Sequence, residues 1–136
     1  MRLAQTAAAL IVGVDAHVID VEAHLADGLV GTAITGLADT AVNESRDRVR
    51  AAISSTGYPW PQQRITIGLS PAWLPKRGSA LDLAIALAVL AADGRCDVER
   101  LHRTLVIGEL GLDGSVRAVR GVLPMVLAAK RWGFTR

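Results

Sequence analysis

The sequence predicts an α/β sandwich in which helices pack on one mixed sheet. Three observations carry this. The stretch "HVIDVEAHL" alternates, with Ile19, Val21, Ala23 and Leu25 on one side and Asp20, Glu22 and His24 on the other, the period of a half-buried strand. After Asp39 the apolar period changes to three and four, as a helix requires. The uncharged run 83–92 is about half the ~20 residues that a membrane span needs, so it reads as a core helix.

The elements follow in order. "AAALIVGV" is apolar on both faces and pairs with the alternating stretch, so residues 7–25 form a hairpin joined through "VDAH". "TAIT", between Gly31 and Gly36, is a third short strand. Asp39 caps the first helix, whose inner face is Val42, Ser45, Val49, Ile53 and Thr56. Glu44 and Arg48 stand four apart, a favourable helical pair, and Gly57 ends the helix. "YPWPQQ" is a stiff loop, because prolines fix the chain and remove donors. "RITIGLS" is the next strand. "ADGRCD" breaks the second helix. "TLVIGELGLDGSVRAVRG" reads as a hairpin turning at Asp113-Gly114, where glycine supplies positive φ. "GVLPMVLAAKRWGF" is the last helix, with Pro124 in its first turn and Gly133 at its end. Strand, strand, strand, helix, strand, helix, strand, strand, helix is not a regular βαβ series.

The 136 residues are 51% hydrophobic and only 4% aromatic, which suits one domain with an aliphatic core. So few rings argue against a surface that stacks bases along a single strand. The net charge of +2 is unevenly divided: residues 1–45 carry −5 and residues 46–136 carry +7. The basic part reads as a solvated arginine-rich surface, with nucleic acid or an acidic partner as the functional alternative. Cys96 is the only cysteine, so no internal disulfide forms, which fits a reducing cytosol. "MRLAQTAAALIVGV" imitates a signal peptide, but Gln5 and Thr6 interrupt it and strand alternation follows, so it reads as a strand.

The stretch "KRGSALDLAIALAVLAA" poses the functional question. No G-x-x-x-x-G-K-S/T occurs in the chain, so it is not a nucleotide-hydrolysing phosphate loop. Ser79 and Asp82 have the spacing of a helix-capping box, with the Ser79 oxygen accepting from the Asp82 amide and the Asp82 carboxylate reaching back. A nucleophilic Ser79 would need a base, for which the lysines are Lys76 and Lys130. Arg46, Arg48 and Arg50 on the first helix, and Lys76-Arg77 ahead of the second, are the candidate DNA or subunit contacts. His17, His24 and His102 share no ligand spacing, so no metal site is expected. Arg117 and Arg120 read as surface. Trp60 reads as a loop anchor. Trp73 reads as packed; an exposed ring there could meet a base or a partner.

"ESRDRVRAAI", "GYPWPQQRITIGLSPAWLPKRGSALDLAIALAVLAA" and "LVIGELGLDGSVRAVRGVLPMVLAAKRWGF" together resemble the bacterial magnesium-chelatase-like AAA+ ATPases of the ComM/YifB type. The resemblance covers essentially all of the chain. It implies that residues 1–136 are the N-terminal domain and that an AAA+ module, with its ATP and magnesium, lies downstream of this chain. It implies a cytoplasmic hexamer associated with DNA branch migration in natural transformation. The implied partners are the protein's own AAA+ module and neighbouring subunits, with DNA as a further candidate and no membrane. The implied fold is the two-layer α/β domain that the Lon proteolytic domain and the RadA C-terminal domain share. Lining up with Lon on "IAL" puts Asp82 where its catalytic serine would be. Lining up on "RGVLPMVLAA" puts Pro124 where its lysine would be. The resemblance therefore implies a peptidase fold without its dyad: a non-catalytic accessory domain, with a cryptic Ser79 peptidase or a purely structural assembly module as the alternatives.

Overall fold

The computed structural model describes residues 2–76 and 79–136, apart from the Asp39 side chain. Strands β1 (Arg2–Val12) and β2 (Asp15–Ala26) form a long antiparallel hairpin. Its register runs from Arg2 opposite Leu25 to Val12 opposite Asp15. The turn is therefore Gly13-Val14 alone, tighter than "VDAH", with Gly13 at φ 65. Strand β3 (Gly31–Thr35) leads into helix α1 (Asp39–Ser55), and strand β4 (Arg64–Ser70) follows. Beyond β4 come helix α2 (Asp82–Ala92), the one-turn helix α3 (Val98–Leu101) and the two-residue strand β5 (Leu105–Val106). Short strands β6 (Glu109–Leu110) and β7 (Val116–Arg117) precede helix α4 (Val122–Arg131).

The main sheet has the order β3-β4-β2-β1-β5. The pairs β1/β2 and β2/β4 are antiparallel, and β3/β4 and β1/β5 are parallel. It is the mixed sheet of an α/β sandwich that the order of elements predicts. The predicted hairpin over 104–121 divides in two. Leu105 and Val106 join the main sheet beside Ala7 and Ala8, while only Glu109–Leu110 and Val116–Arg117 pair with each other. Gly114 does take the positive φ of the turn, at 86°, and a Cβ there would lie 2.4 Å from Thr56 Cγ2. The turn is seated on the end of α1, where the Ser55 hydroxyl donates to the Leu112 carbonyl at 2.9 Å.

One face of the sheet holds the main core. Ile19, Val21, Ala23 and Leu25 have no exposed surface, as the alternation requires. α1 brings Val49 and Ile53 to this core, and α2 brings Ile85 and Val89. α2 is apolar all round, and Ala84, Ala86, Ala88, Ala91 and Ala92 are all buried. Small side chains let it lie close on a sheet that is itself alanine-rich at Ala4, Ala8 and Ala23. Thr6 interrupts the apolar run of β1 for the same packing: its buried hydroxyl donates to the Ala84 carbonyl at 2.7 Å. Each fully buried Ile or Leu contributes about 1.5–3 kcal/mol. Trp60 is a buried loop anchor, as expected.

The opposite face is covered by α4, with Ile107, Val119 and Phe134 beside it, through a smaller cluster of Ala7, Ala9, Ala16, Leu105, Met125 and Ala128. α4 begins after Gly121 and ends before Gly133, both at positive φ. Its outer residues Leu123, Val126 and Leu127 are exposed. The N-cap position of α1 falls on Ala38, one residue before the expected Asp39.

Candidate functional site

The inner face of α1 and the start of α2 meet at a buried ion pair. The Asp82 side chain is 1% exposed. One carboxylate oxygen accepts from Arg48 Nε at 2.5 Å. The other accepts from the Ser45 hydroxyl at 3.0 Å and from Arg48 Nη2 at 3.2 Å. The two-pronged contact is the geometry that planar guanidinium favours with carboxylate. Arg48 also stands 3.8 Å from Glu44, the predicted helical pair. The Asp82 hydrogen bond raises the Arg48 pKa above its already high value, burial opposes it, and the charges of Asp82 and Glu44 add to the rise.

This arrangement overturns the capping box. The N-cap position of α2 is Leu81, and no side chain bonds the cap. The Asp82 amide donates to the Ser79 carbonyl at 3.1 Å, so Ser79 closes a backbone turn one step ahead of the helix. The carboxylate cannot serve both the Ser79 amide and α1, and Arg48 offers it a charge. Asp82 still lies at the positive end of the α2 dipole, which adds to its stability there.

Arg48 is likewise removed from the candidate contacts, because its guanidinium is turned inward. Lys76 leaves them too. It is 7% exposed, and its ammonium donates to the carbonyls of Pro71 at 2.6 Å, Leu74 at 2.9 Å and Gly36 at 3.3 Å. Burial pulls its pKa below the ordinary lysine value, while carbonyl acceptors favour the donating, protonated form. Gly36 is required at this junction: φ is +94° and a Cβ would lie 2.4 Å from the Leu69 carbonyl oxygen. Arg77 lies outside the described residues. Of the candidate contacts, Arg50 is exposed and Arg46 partly so, with Arg46 3.5 Å from the neighbouring Asp47. Arg117, Arg120 and Lys130 are exposed.

The sequence reading missed the Ser45–Asp82–Arg48 grouping as a unit. The signal was present: Ser45 is a polar residue in the apolar stripe of α1, and Asp82 heads a helix with no other charge. A polar group on a buried face needs a partner. Trp73 also departs from expectation. It is 75% exposed, because Leu74 takes the buried position and Lys76 turns inward beside it.

A cleft of about 590 Å³ opens next to this region, walled by Leu10, Pro75, Ala80, Ile107 and Met125, with Arg120 as its charged residue. Among the described residues, its lining includes no Ser, Thr, Cys, Lys, His, Asp or Glu. Among the described residues, no three His, Cys, Asp or Glu side chains are grouped to hold a metal. No helix among them is long and apolar enough to cross a membrane.

The family described as subunit ChlI of Mg-chelatase matches residues 21–136. The chain belongs to this family, in its ComM/YifB branch. It is 52% identical over 134 residues to an uncharacterized protein of Mycobacterium tuberculosis, covering 98% of the chain and 27% of that relative. It is 44% identical over 133 residues to YifB of Escherichia coli, covering 98% of the chain and 26% of YifB. It is 40% identical over 131 residues to competence protein ComM of Haemophilus influenzae, covering 96% of the chain and 26% of ComM. The chain thus spans about a quarter of the length of these curated relatives. In this Mg-chelatase-like domain, the position that the resemblance aligns with a peptidase serine holds the buried, ion-paired Asp82.

Proposed function

We propose that these residues form a non-catalytic accessory domain of a magnesium-chelatase-like AAA+ ATPase, which supports ring assembly or DNA engagement in a branch-migration helicase of recombination and natural transformation. The observation that carries the reading is Asp82. A carboxylate that is 1% exposed and bound by Arg48 and Ser45 is unavailable for acyl chemistry and instead fastens α1 to α2. Two further facts support it. Pro124, aligned with the peptidase lysine, has no amine. Lys76, a candidate base for Ser79, is committed to three backbone carbonyls. ATP does not fit these residues, since the chain lacks a phosphate loop. Nucleotide and magnesium would belong to the AAA+ module expected in the longer protein, which would assemble as a cytoplasmic hexamer.

Among the described candidates, the outward-facing Arg46 and Arg50 are the residues left to meet DNA phosphates or a neighbouring subunit. The test is DNA binding by the full-length protein as salt is varied. Affinity should fall steeply with salt, and Arg46→Ala with Arg50→Ala should weaken it and flatten the salt slope by up to about two. An assembled ring that binds no DNA at low salt leaves the structural assembly module as the function. Peptide hydrolysis abolished by Ser79→Ala would overturn the non-catalytic reading.

A further inference from the structure

The chain holds five aromatic residues, and three of them line one cleft. Trp73, Trp132 and Phe134 surround a space of about 440 Å³, together with Pro71, His17 and Asp20. Trp73 is 75% exposed and Trp132 70% exposed, in a protein whose third tryptophan is buried. Exposed rings gathered at one place mark a binding surface more often than scattered ones do. Asp20 lies two residues beyond Val18 on β2, on the sheet face that α4 covers only in part.

Both walls are built into the fold. The Trp73 wall is held from inside, by the Lys76 ammonium on the Pro71 and Leu74 carbonyls and by the burial of Leu74. The other wall follows α4. There the Phe134 amide donates to the Ala129 carbonyl, and the Thr135 amide to the Arg103 carbonyl, each at 2.9 Å. The Leu105 amide closes the tail by donating to the Arg136 carbonyl. The backbone that carries the rings is therefore fixed, and little main-chain ordering would be needed on binding.

The charge of the lining selects the ligand. Asp20 is the carboxylate of the cleft, and among the described residues no Lys or Arg lines it. Ring faces attract cations, and a carboxylate beside them adds to that attraction. A nucleic-acid strand could stack a base on a tryptophan, but its phosphate would find Asp20 and no cation within the cleft. A neutral apolar segment would desolvate the carboxylate without a partner. Guanidinium suits the cleft better than ammonium, because it is planar, stacks on rings, holds water weakly and meets a carboxylate with two donors. The same chemistry already operates elsewhere in this chain, where the Arg95 guanidinium lies 5.7 Å from the centre of the Tyr58 ring.

We propose that the cleft between Trp73 and Trp132 docks an arginine side chain from a basic segment of a partner protein, with Asp20 as its counter-ion. The site is separate from Arg46 and Arg50, so it stands or falls independently of DNA binding by them. The test is titration of the protein with a short, capped glycine peptide carrying arginines, followed by tryptophan fluorescence and calorimetry. Its uncharged counterpart, with citrulline for arginine, and a short oligothymidylate are titrated alongside. Saturable binding of the arginine peptide is expected, with the citrulline peptide about tenfold weaker. Trp73→Ala and Asp20→Asn should each weaken the arginine peptide by about fivefold or more. Both residues are exposed, so an unchanged thermal midpoint serves as the folding control. Equal affinity for the two peptides, or no binding of either, overturns the proposal. So does oligothymidylate binding that strengthens in Asp20→Asn, which would make the cleft a base-stacking site.

Discussion

The two faces of the sheet are held by different means. On the face under α1 and α2, contacts are dense, alanine-lined and closed by one buried ion pair. On the face under α4, a small cluster leaves Leu123, Leu127 and Trp132 open. The first face stores most of the buried apolar surface of the domain. The second carries the exposed Trp132, and its cluster lines both the cleft of about 590 Å³ and the one of about 440 Å³. The difference teaches where each kind of substitution should be felt: in unfolding free energy on the first face, and in association on the second.

The largest expected effect breaks the first face. Arg48→Ala leaves the Asp82 carboxylate buried without its cation, and should destabilise the domain by about 3–5 kcal/mol. Asp82→Ala should cost less, about 2–3 kcal/mol, because the remaining guanidinium is 28% exposed and can turn to water. Urea unfolding of the two variants checks both the size and the order. Next comes Lys76→Met, which keeps the aliphatic stem but leaves three carbonyls without their donor. A loss of about 2 kcal/mol is expected, with a red or blue shift in Trp73 fluorescence as the loop relaxes. An unchanged spectrum would show that Lys76 does not position that ring.

On the exposed surface the same substitutions should be nearly silent for folding. Arg46→Ala and Arg50→Ala should each stay within about 0.5 kcal/mol of the parent, which makes them clean probes of association. The smallest effect concerns pH. The Ser115 hydroxyl and then its amide, both bonded to the Asp113 carboxylate, hold its pKa below the usual carboxylate range. A lowered carboxyl contributes stability above its unfolded value and loses it as pH falls through the folded one. An NMR titration of Asp113 should place its midpoint below about 3.9, the unperturbed value; a midpoint at or above that value removes the turn contact.

Much of the fold was legible because period reveals burial. The alternation around Ile19 to Leu25 and the stripe Val42–Ile53 each fixed an element and its inner face. What period does not reveal is the partner. Nothing in "TLVIGEL" distinguishes pairing with β1 from pairing within its own hairpin, since both bury the same leucine and valine. The charged residues were read less well, and for a related reason. Arg46, Arg48 and Arg50 are one charge run in the sequence, yet a single turn of helix aims Arg48 at a carboxylate from another element. Lys76 looked like a cation for anions because it precedes a helix. Its long stem instead reaches carbonyls whose proximity only the folded loop creates. Ser79 and Asp82 match a capping pattern, but the pattern contains no information about a competing arginine.

The most direct measurement is a double-mutant cycle on Arg48 and Asp82, with unfolding free energies for each alanine variant and for the double variant. A coupling energy of about 2 kcal/mol or more is expected, since each partner is costly to leave alone and the pair is not. Effects that add within about 0.5 kcal/mol would contradict the reading of Asp82 as the fastening between the two helices, and with it the case for an inert scaffold at this position.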